Sequence, residues 1–190
     1  MRTFIAITLP EGLIKLLTGI QQELKKSRAD VKWVEPQNIH LTLKFLGEID
    51  QAGLEKVSSI LRQTAEGASP FSANLVKLGA FPSGRFPRVI WAGVEKGDQE
   101  IKKLAAELEE GFAEIGFPKE NKPFTSHITL GRTRSSLHTG ELSSLLGPCG
   151  EILQKQRPEF RVTALTLFKS TLTPRGASYE SLETITLTAT

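Results

Sequence analysis

Two of the three histidines in this chain begin the same four-residue pattern. His40 opens His-Leu-Thr-Leu, and His127 opens His-Ile-Thr-Leu 87 positions later. Chance rarely places Thr at +2 and Leu at +3 after two histidines out of three. We therefore interpret the two tetrads as an internal repeat, in which two related half-units bring their imidazoles to one site.

Strand geometry would give each tetrad one chemical face. Both tetrads lie in stretches typical of β-strands, where side chains at i and i+2 project to the same side. We expect His40 and Thr42, and likewise His127 and Thr129, to line a cleft. Two facing imidazoles suit in-line displacement at phosphorus, because one can deprotonate water while the other protonates the leaving oxygen. The threonine hydroxyls could donate to the non-bridging phosphoryl oxygens.

Other interpretations of the histidines fit the sequence less well. A single histidine in an apolar strand is usually a hydrogen-bonded core or edge residue, but a matched pair is not explained in that way. A zinc site would need further ligands, and the sequence has neither H-E-x-x-H nor a cysteine pair. We therefore expect no metal and no cofactor. His138 lies in a polar stretch that predicts a loop.

Two cations near the tetrads could contact a phosphate. Lys44 continues the alternating face of the first tetrad, although it could equally be an exposed cation at the end of the strand. Arg132 follows the second tetrad, where alternation directs it away from His127 unless Gly131 allows a β-bulge. The stretch 81–88 could hold RNA by stacking or could form a hairpin with core phenylalanines. Its candidate residues are Phe81, Arg85, Phe86 and Arg88.

The predicted elements alternate between strands and helices. Periodicity predicts strands at 2–9, 31–34, 39–46, 71–78, 88–94, 126–132, 159–168 and 179–187. It predicts helices at 12–26, after an N-cap at Asp50, at 99–115 and near 140–146. Short hairpin-like connections favour an α+β fold over a doubly wound parallel sheet. The sequence contains no Gly-rich phosphate loop, which excludes P-loop nucleotide hydrolysis.

Composition limits the class of protein. A chain of 190 residues with 39% hydrophobic residues suits one domain spanning 1–190. Cys149 is the only cysteine, so no disulfide can form within the chain, and we expect its thiol to be inert. A net charge of +3 suits a small polyanionic substrate but not a duplex-binding surface. The absence of a long apolar run predicts a cytoplasmic protein without membrane association.

The residues around both tetrads resemble the 2H phosphoesterase superfamily, which two H-x-[ST]-x motifs define. More narrowly, they resemble the RNA 2′,3′-cyclic phosphodiesterase family, first described as 2′-5′ RNA ligases. The resemblance extends over most of the chain, at residues 2–10, 33–47, 87–94, 123–132 and 170–180. One departure is Ser126, where the family often has proline before the histidine.

This resemblance implies two pseudo-symmetric α+β lobes, each an antiparallel sheet with outer helices, around a cleft that holds one tetrad from each lobe. It implies hydrolysis of an RNA terminal 2′,3′-cyclic phosphate to a 2′-phosphomonoester, with reversible 2′-5′ ligation in some members. It makes His40 the proton donor to the 3′ oxygen and His127 the base, an order that the residues alone leave open. RNA 3′ termini or small cyclic nucleotides would be the partners of a monomer.

Two alternatives to this function stay open at this point. One is a 2H phosphodiesterase with a different RNA or nucleotide substrate. The other is a non-catalytic RNA-binding module, although a binding pocket needs cations and stacking groups rather than two imidazoles.

Overall fold

A computed structural model describes residues 1–174 and 176–189, and these residues form nine strands and four helices. The strands are β1 Arg2–Thr8, β2 Val31–Trp33, β3 His40–Glu48, β4 Phe71–Pro82, β5 Pro87–Val94, β6 His127–Thr133, β7 Glu159–Val162, β8 Ala164–Thr173 and β9 Gly176–Thr186. The helices are α1 Glu11–Leu24, α2 Gln51–Glu66, α3 Asp98–Glu114 and α4 Thr139–Gln156. Arg175, in one of the segments that carry the resemblance, lies outside the described residues.

The strands form two antiparallel sheets. The first sheet has the order β3-β1-β8-β9, and the second has the order β2-β6-β5-β4-β7. Each sheet contains one tetrad strand, β3 or β6, beside a buried central strand, β1 or β5. The α+β prediction with antiparallel sheets is thus confirmed. Within the described residues, no helix is both long enough and apolar enough to cross a membrane.

The predicted strand at 159–168 is in fact two strands. The chain leaves the second sheet after Val162 and enters the first sheet at Ala164, so that β7 pairs with β4 while β8 pairs with β1 and β9. Thr163 is the crossing point, and its carbonyl accepts a hydrogen bond from the Leu187 amide at 2.8 Å. Periodicity shows which residues are buried but does not show to which sheet they belong.

The fourth helix is longer than the predicted segment near 140–146. It continues through Pro148 to Gln156, because its buried side chains keep a helical spacing beyond the proline. Those side chains are Leu142, Leu146, Cys149 and Leu153. Their burial offsets the backbone hydrogen bond that an internal proline removes.

Candidate active site

Each tetrad begins its strand, with histidine as the first residue. In β3, His40 and Thr42 are half-buried while Leu41 is fully buried, and β6 repeats this pattern from His127 onwards. The alternation therefore places histidine and threonine together on one face of each sheet. The two tetrad strands also pack against each other where the sheets meet.

Both imidazoles are held in the same way. Nδ1 of His40 lies 2.7 Å from the Asn38 carbonyl oxygen, and Nδ1 of His127 lies 2.7 Å from the Thr125 carbonyl oxygen. Because a carbonyl can only accept, each Nδ1 carries the proton and each Nε2 is left for chemistry. Nε2 of His40 lies 2.8 Å from the Thr42 hydroxyl.

A β-bulge follows each tetrad threonine. In the first sheet, Ala6 pairs with Thr42 and Ile5 pairs with Lys44, so Leu43 is the extra residue. In the second sheet, the pairing of β5 skips Leu130 in the same way. The fourth residue of both tetrads is thus the bulged one. A bulge reverses which face the following residues occupy, so alternation cannot be extended beyond it.

The first bulge turns Lys44 away from the cleft, so its predicted place on the face of His40 is wrong. Lys44 is only 4% exposed. Its Nζ donates to the Pro118 carbonyl at 2.9 Å and forms an ion pair with the Glu109 carboxylate at 2.7 Å. Burial raises the pKa of Glu109, but hydrogen bonds from Lys44 and the Glu120 amide together with the charges of Lys44 and Lys119 outweigh it, and the net shift is downward. Lys44 therefore supports the strand from behind.

The second bulge turns Arg132 toward the cleft. Arg132 is exposed and pairs with Val89, which lies on the same face of β5 as Trp91, the partner of Thr129. Burial raises the pKa of Tyr179, while the positive charge of Arg132 acts to lower it. The Tyr179 ring is centred 5.4 Å from the His40 ring. Tyr179 therefore contacts the His40 ring from β9 of the same sheet.

Aromatic side chains surround both imidazoles. His40 stacks on Phe4 with ring centroids 4.9 Å apart and also meets the edge of Tyr179. Burial lowers the pKa of His40, although its hydrogen bond to the Asn38 carbonyl acts in the opposite direction. His127 meets Phe81 edge to face at 5.4 Å, and Phe81 stacks on Trp91.

Sequence reasoning assigned no role to Phe4, Trp91 or Tyr179. Gly79 could have indicated where Trp91 lies, since a Cβ at this position would collide with the indole ring. Gly79 therefore provides the space in which this ring lies across β4.

Each tetrad strand is tied to the helix that precedes the other tetrad. Gln21 of α1 is 2% exposed, and its Nε2 donates to the carbonyls of Leu130 at 2.8 Å and Val34 at 2.9 Å. Glu109 of α3 binds Lys44 next to the other bulge. Gln21 and Glu109 lie 88 positions apart, and so do four pairs of apolar residues on the same helices. Those pairs are Leu13 and Ile101, Leu17 and Ala105, Ile20 and Leu108, and Leu24 and Phe112.

The other sequence candidates lie outside this constellation. Arg85 and Phe86 contact each other at the tip of the β4–β5 hairpin, with the guanidinium 5.4 Å from the ring centre, and Arg88 is exposed on β5. His138 directly precedes α4 and bonds Glu141. Cys149 is buried, and burial raises the pKa of its thiol.

Two antiparallel sheets that each present a His-x-Thr pair from the start of a bulged strand define a duplicated two-histidine phosphoesterase. The chain belongs to the LigT-like phosphoesterase family, whose model matches it twice, at residues 7–91 and 93–179. Each match contains one tetrad, as an internal repeat predicts. The predicted family resemblance is confirmed, and the protein is an enzyme of this type.

Curated relatives cover nearly the whole chain. A Methanothermobacter thermautotrophicus protein named RNA 2′,3′-cyclic phosphodiesterase is 35% identical over 187 residues, covering 98% of this chain and 99% of the relative. A Thermotoga maritima protein of the same name is 35% identical over 182 residues, covering 96% of this chain and 93% of the relative.

Solved structures agree with the fold. The crystal structure of a Thermus thermophilus protein superposes with a TM-score of 0.80 at 31% identity, covering 98% of both chains. Escherichia coli LigT complexed with 3′-AMP gives a TM-score of 0.73 at 26% identity, covering 99% of this chain and 98% of LigT.

Proposed function

We propose that this protein hydrolyses the 2′,3′-cyclic phosphate at RNA termini, or of small cyclic nucleotides, to a 2′-phosphomonoester. The observation that carries this proposal is the matched pair of imidazoles, each with Nδ1 fixed by a carbonyl two residues earlier. The names of the curated relatives support the same substrate class.

In the proposed reaction, Nε2 of His127 removes a proton from the attacking water as its oxygen bonds to phosphorus. The bond from phosphorus to O3′ breaks, and protonated His40 gives its Nε2 proton to O3′. Thr42 and Thr129 donate to the non-bridging oxygens as negative charge develops there. A 5′-hydroxyl in place of water would form a 2′-5′ linkage by the same steps.

The proposed donor role of His40 requires its charged form. Burial favours neutral His40 in the free protein. The negative charge of a bound cyclic phosphodiester acts in the opposite direction, because an anion within about 4–6 Å favours imidazolium. Binding of substrate would therefore charge the donor at the site where the proton is used.

Three histidine variants test the proposal. His40→Ala and His127→Ala are each expected to lower kcat by roughly 10²- to 10⁴-fold, the usual contribution of a positioned acid or base. The double variant should lose much less than the product of both losses, because the pair acts as a unit. His138→Ala, outside the cleft, is the matched control with unchanged kcat. Full activity in either cleft variant would contradict the proposal.

A substrate with sulfur at the 3′ leaving position tests the direction of proton flow. Sulfur needs little protonation to leave, so this substrate should restore turnover in His40→Ala but not in His127→Ala. Restored turnover in His127→Ala alone would reverse the two roles.

All assays are to be run in excess chelator, where we expect activity to persist. Loss of activity that zinc or manganese restores would contradict the metal-independent scheme.

A further inference from the structure

Strand pairing collects positive charge on the face of the second sheet that carries His127. Arg132 pairs with Lys32 of β2, and Lys77 of β4 lies level with His127, because both pair with Gly93. The other paired positions on this face are Thr129, Trp91, Val89, Gly79 and Phe81. These paired positions contain three cations and no carboxylate, which is the composition of a surface for a polyanion. The charge of Lys77 also helps to lower the pKa of Asp98, so Lys32 and Arg132 are the stronger candidates.

Lys32 and Arg132 are like charges placed directly opposite each other on neighbouring strands, an arrangement that destabilises a sheet. Within residues 1–174 and 176–189, neither forms an ion pair. Asp30, close along the chain, lies 4.0 Å from Arg134 instead. Two facing, unpaired cations beside a catalytic cleft indicate a place for an external anion.

The opposite face of β2 fixes the direction of Lys32. A Cβ at Gly131 would lie 2.7 Å from Val31 and 2.9 Å from Trp33, so both side chains pack closely over this glycine. Because neighbouring side chains of a strand point to opposite faces, Lys32 points to the face of Arg132. Strands lie about 4.8 Å apart, which brings both cations within reach of one phosphate.

We propose that Lys32 and Arg132 form a subsite for a second phosphate, the phosphodiester on the 5′ side of the terminal nucleotide. This inference rests on the proposed function and deepens it. It makes the end of an RNA chain the preferred substrate, because a cyclic mononucleotide without a 5′-phosphate leaves the subsite empty.

The test uses two nucleoside 2′,3′-cyclic phosphates that differ only in a 5′-phosphate. The wild-type protein should have the higher kcat/KM on the 5′-phosphorylated substrate. Lys32→Gln should lower that kcat/KM roughly 5- to 10-fold through KM, as expected for one lost charge-assisted hydrogen bond. Lys32→Gln should not change kcat/KM on the substrate without a 5′-phosphate. Lys32→Arg should keep the preference for the 5′-phosphorylated substrate. Lys56→Gln, at an exposed position of α2, is the control for lost surface charge.

Salt dependence gives a second measurement on a short RNA with a 2′,3′-cyclic end. Lys32→Gln should reduce the slope of log(1/KM) against log salt by about 0.7, the value for one phosphate contact in single-stranded nucleic acid. The subsite would be overturned if Lys32→Gln lowered kcat/KM equally on both nucleotides or on neither. It would also be overturned if Lys56→Gln caused the same loss of kcat/KM.

Binding of the reaction products separates this inference from the proposed function. Calorimetry should show that wild-type protein prefers a nucleoside 2′-phosphate with a 5′-phosphate over one without it, and that Lys32→Gln abolishes the preference. If no substrate is hydrolysed but this preference exists, the proposed function fails and the subsite stands. If hydrolysis occurs without any such preference, the subsite fails alone.

Discussion

Replacing Gln21 by leucine is expected to lower both the stability of the fold and the turnover of the site. Gln21 lies on α1, far along the chain from the second tetrad, yet its amide binds the carbonyl of the bulged residue Leu130. That bulge separates Thr129 from Arg132 and places both on the cleft face. Leucine has a similar volume but no donor, so the substitution removes the hydrogen bonds and keeps most of the packing.

The size of the stability loss follows from the two carbonyls. The Leu130 carbonyl still accepts a hydrogen bond from the Val34 amide at 2.9 Å, so it loses only one of its two hydrogen bonds. The Val34 carbonyl loses the donor that Gln21 supplies at 2.9 Å. The Val34 bond is only partly buried, so two lost net hydrogen bonds at about 0.5–1.5 kcal/mol each predict a decrease of about 1–3 kcal/mol in the free energy of unfolding.

Turnover tests whether Gln21 positions the site rather than only stabilising the fold. If the bulge relaxes, the proposed phosphoryl donor Thr129 moves, and a displacement of about 1 Å can cost about 10²-fold in rate. We therefore expect kcat of Gln21→Leu to fall by about 10- to 100-fold, with a smaller change in KM. Urea unfolding followed by tryptophan fluorescence measures stability, and kinetics are measured where each variant remains folded.

Leu17→Ala is the matched control, because Leu17 is fully buried on the same helix but its side chain forms no hydrogen bond to the bulge. It should cost about 2–5 kcal/mol of stability and leave kcat near that of the wild type. Gln21→Glu should be worse than Gln21→Leu, since it directs a carboxylate at two carbonyl oxygens. A Gln21→Leu protein with wild-type kcat, or one no less stable than the wild type, would refute this reasoning.

Two further predictions concern the first tetrad. Lys44→Met should lower the free energy of unfolding by about 3 kcal/mol, because Glu109 loses its buried partner, and KM should stay unchanged. The double variant Lys44→Met with Glu109→Leu should recover much of the stability. A higher KM in Lys44→Met would contradict its placement behind the strand. Burial lowers the pKa of His40, so the limb of the pH profile of kcat/KM that His40 controls should have its midpoint below pH 6.5. Because its pKa is lower in the folded protein, His40 binds a proton more readily in the unfolded chain. Its contribution to stability is therefore complete above pH 6.5, and it is lost as the pH falls from 6.5 toward the pKa of the folded protein. An NMR titration of His40 with a midpoint above 6.5 would contradict both statements.

The tetrads, their strands and the internal repeat could be predicted because each depends on local pattern. Residues two apart in a strand share a face whatever else the chain does. The predictions for Lys44 and Arg132 depended on the bulges, and these are not local. One bulge carbonyl is bound by Gln21 of a distant helix, while the residue after the other bulge is held by Glu109. Simple alternation therefore misplaced Lys44 and left Arg132 undecided.

The bulges also explain how two nearly identical tetrads acquire different surroundings. In both strands, the residue two positions after the bulged leucine lies on the cleft face again. This residue is Phe45 in β3 and Arg132 in β6. The first sheet thus adds Phe45 to the aromatic group of Phe4, whose ring stacks on His40. The second sheet adds positive charge beside Thr129.

This difference bears directly on acid–base chemistry. Two imidazoles in identical surroundings would titrate together, whereas a general acid and a general base must differ in protonation at the same pH. Aromatic burial around His40 lowers its pKa, and in the proposed mechanism the cations of the second sheet would attract the anion that charges it. Phe4→Ala should therefore raise the pKa of His40, because it removes the ring that stacks on the imidazole and relieves part of its burial. If an NMR titration of His40 in that variant matched the wild type, aromatic burial would not be what separates the two histidines.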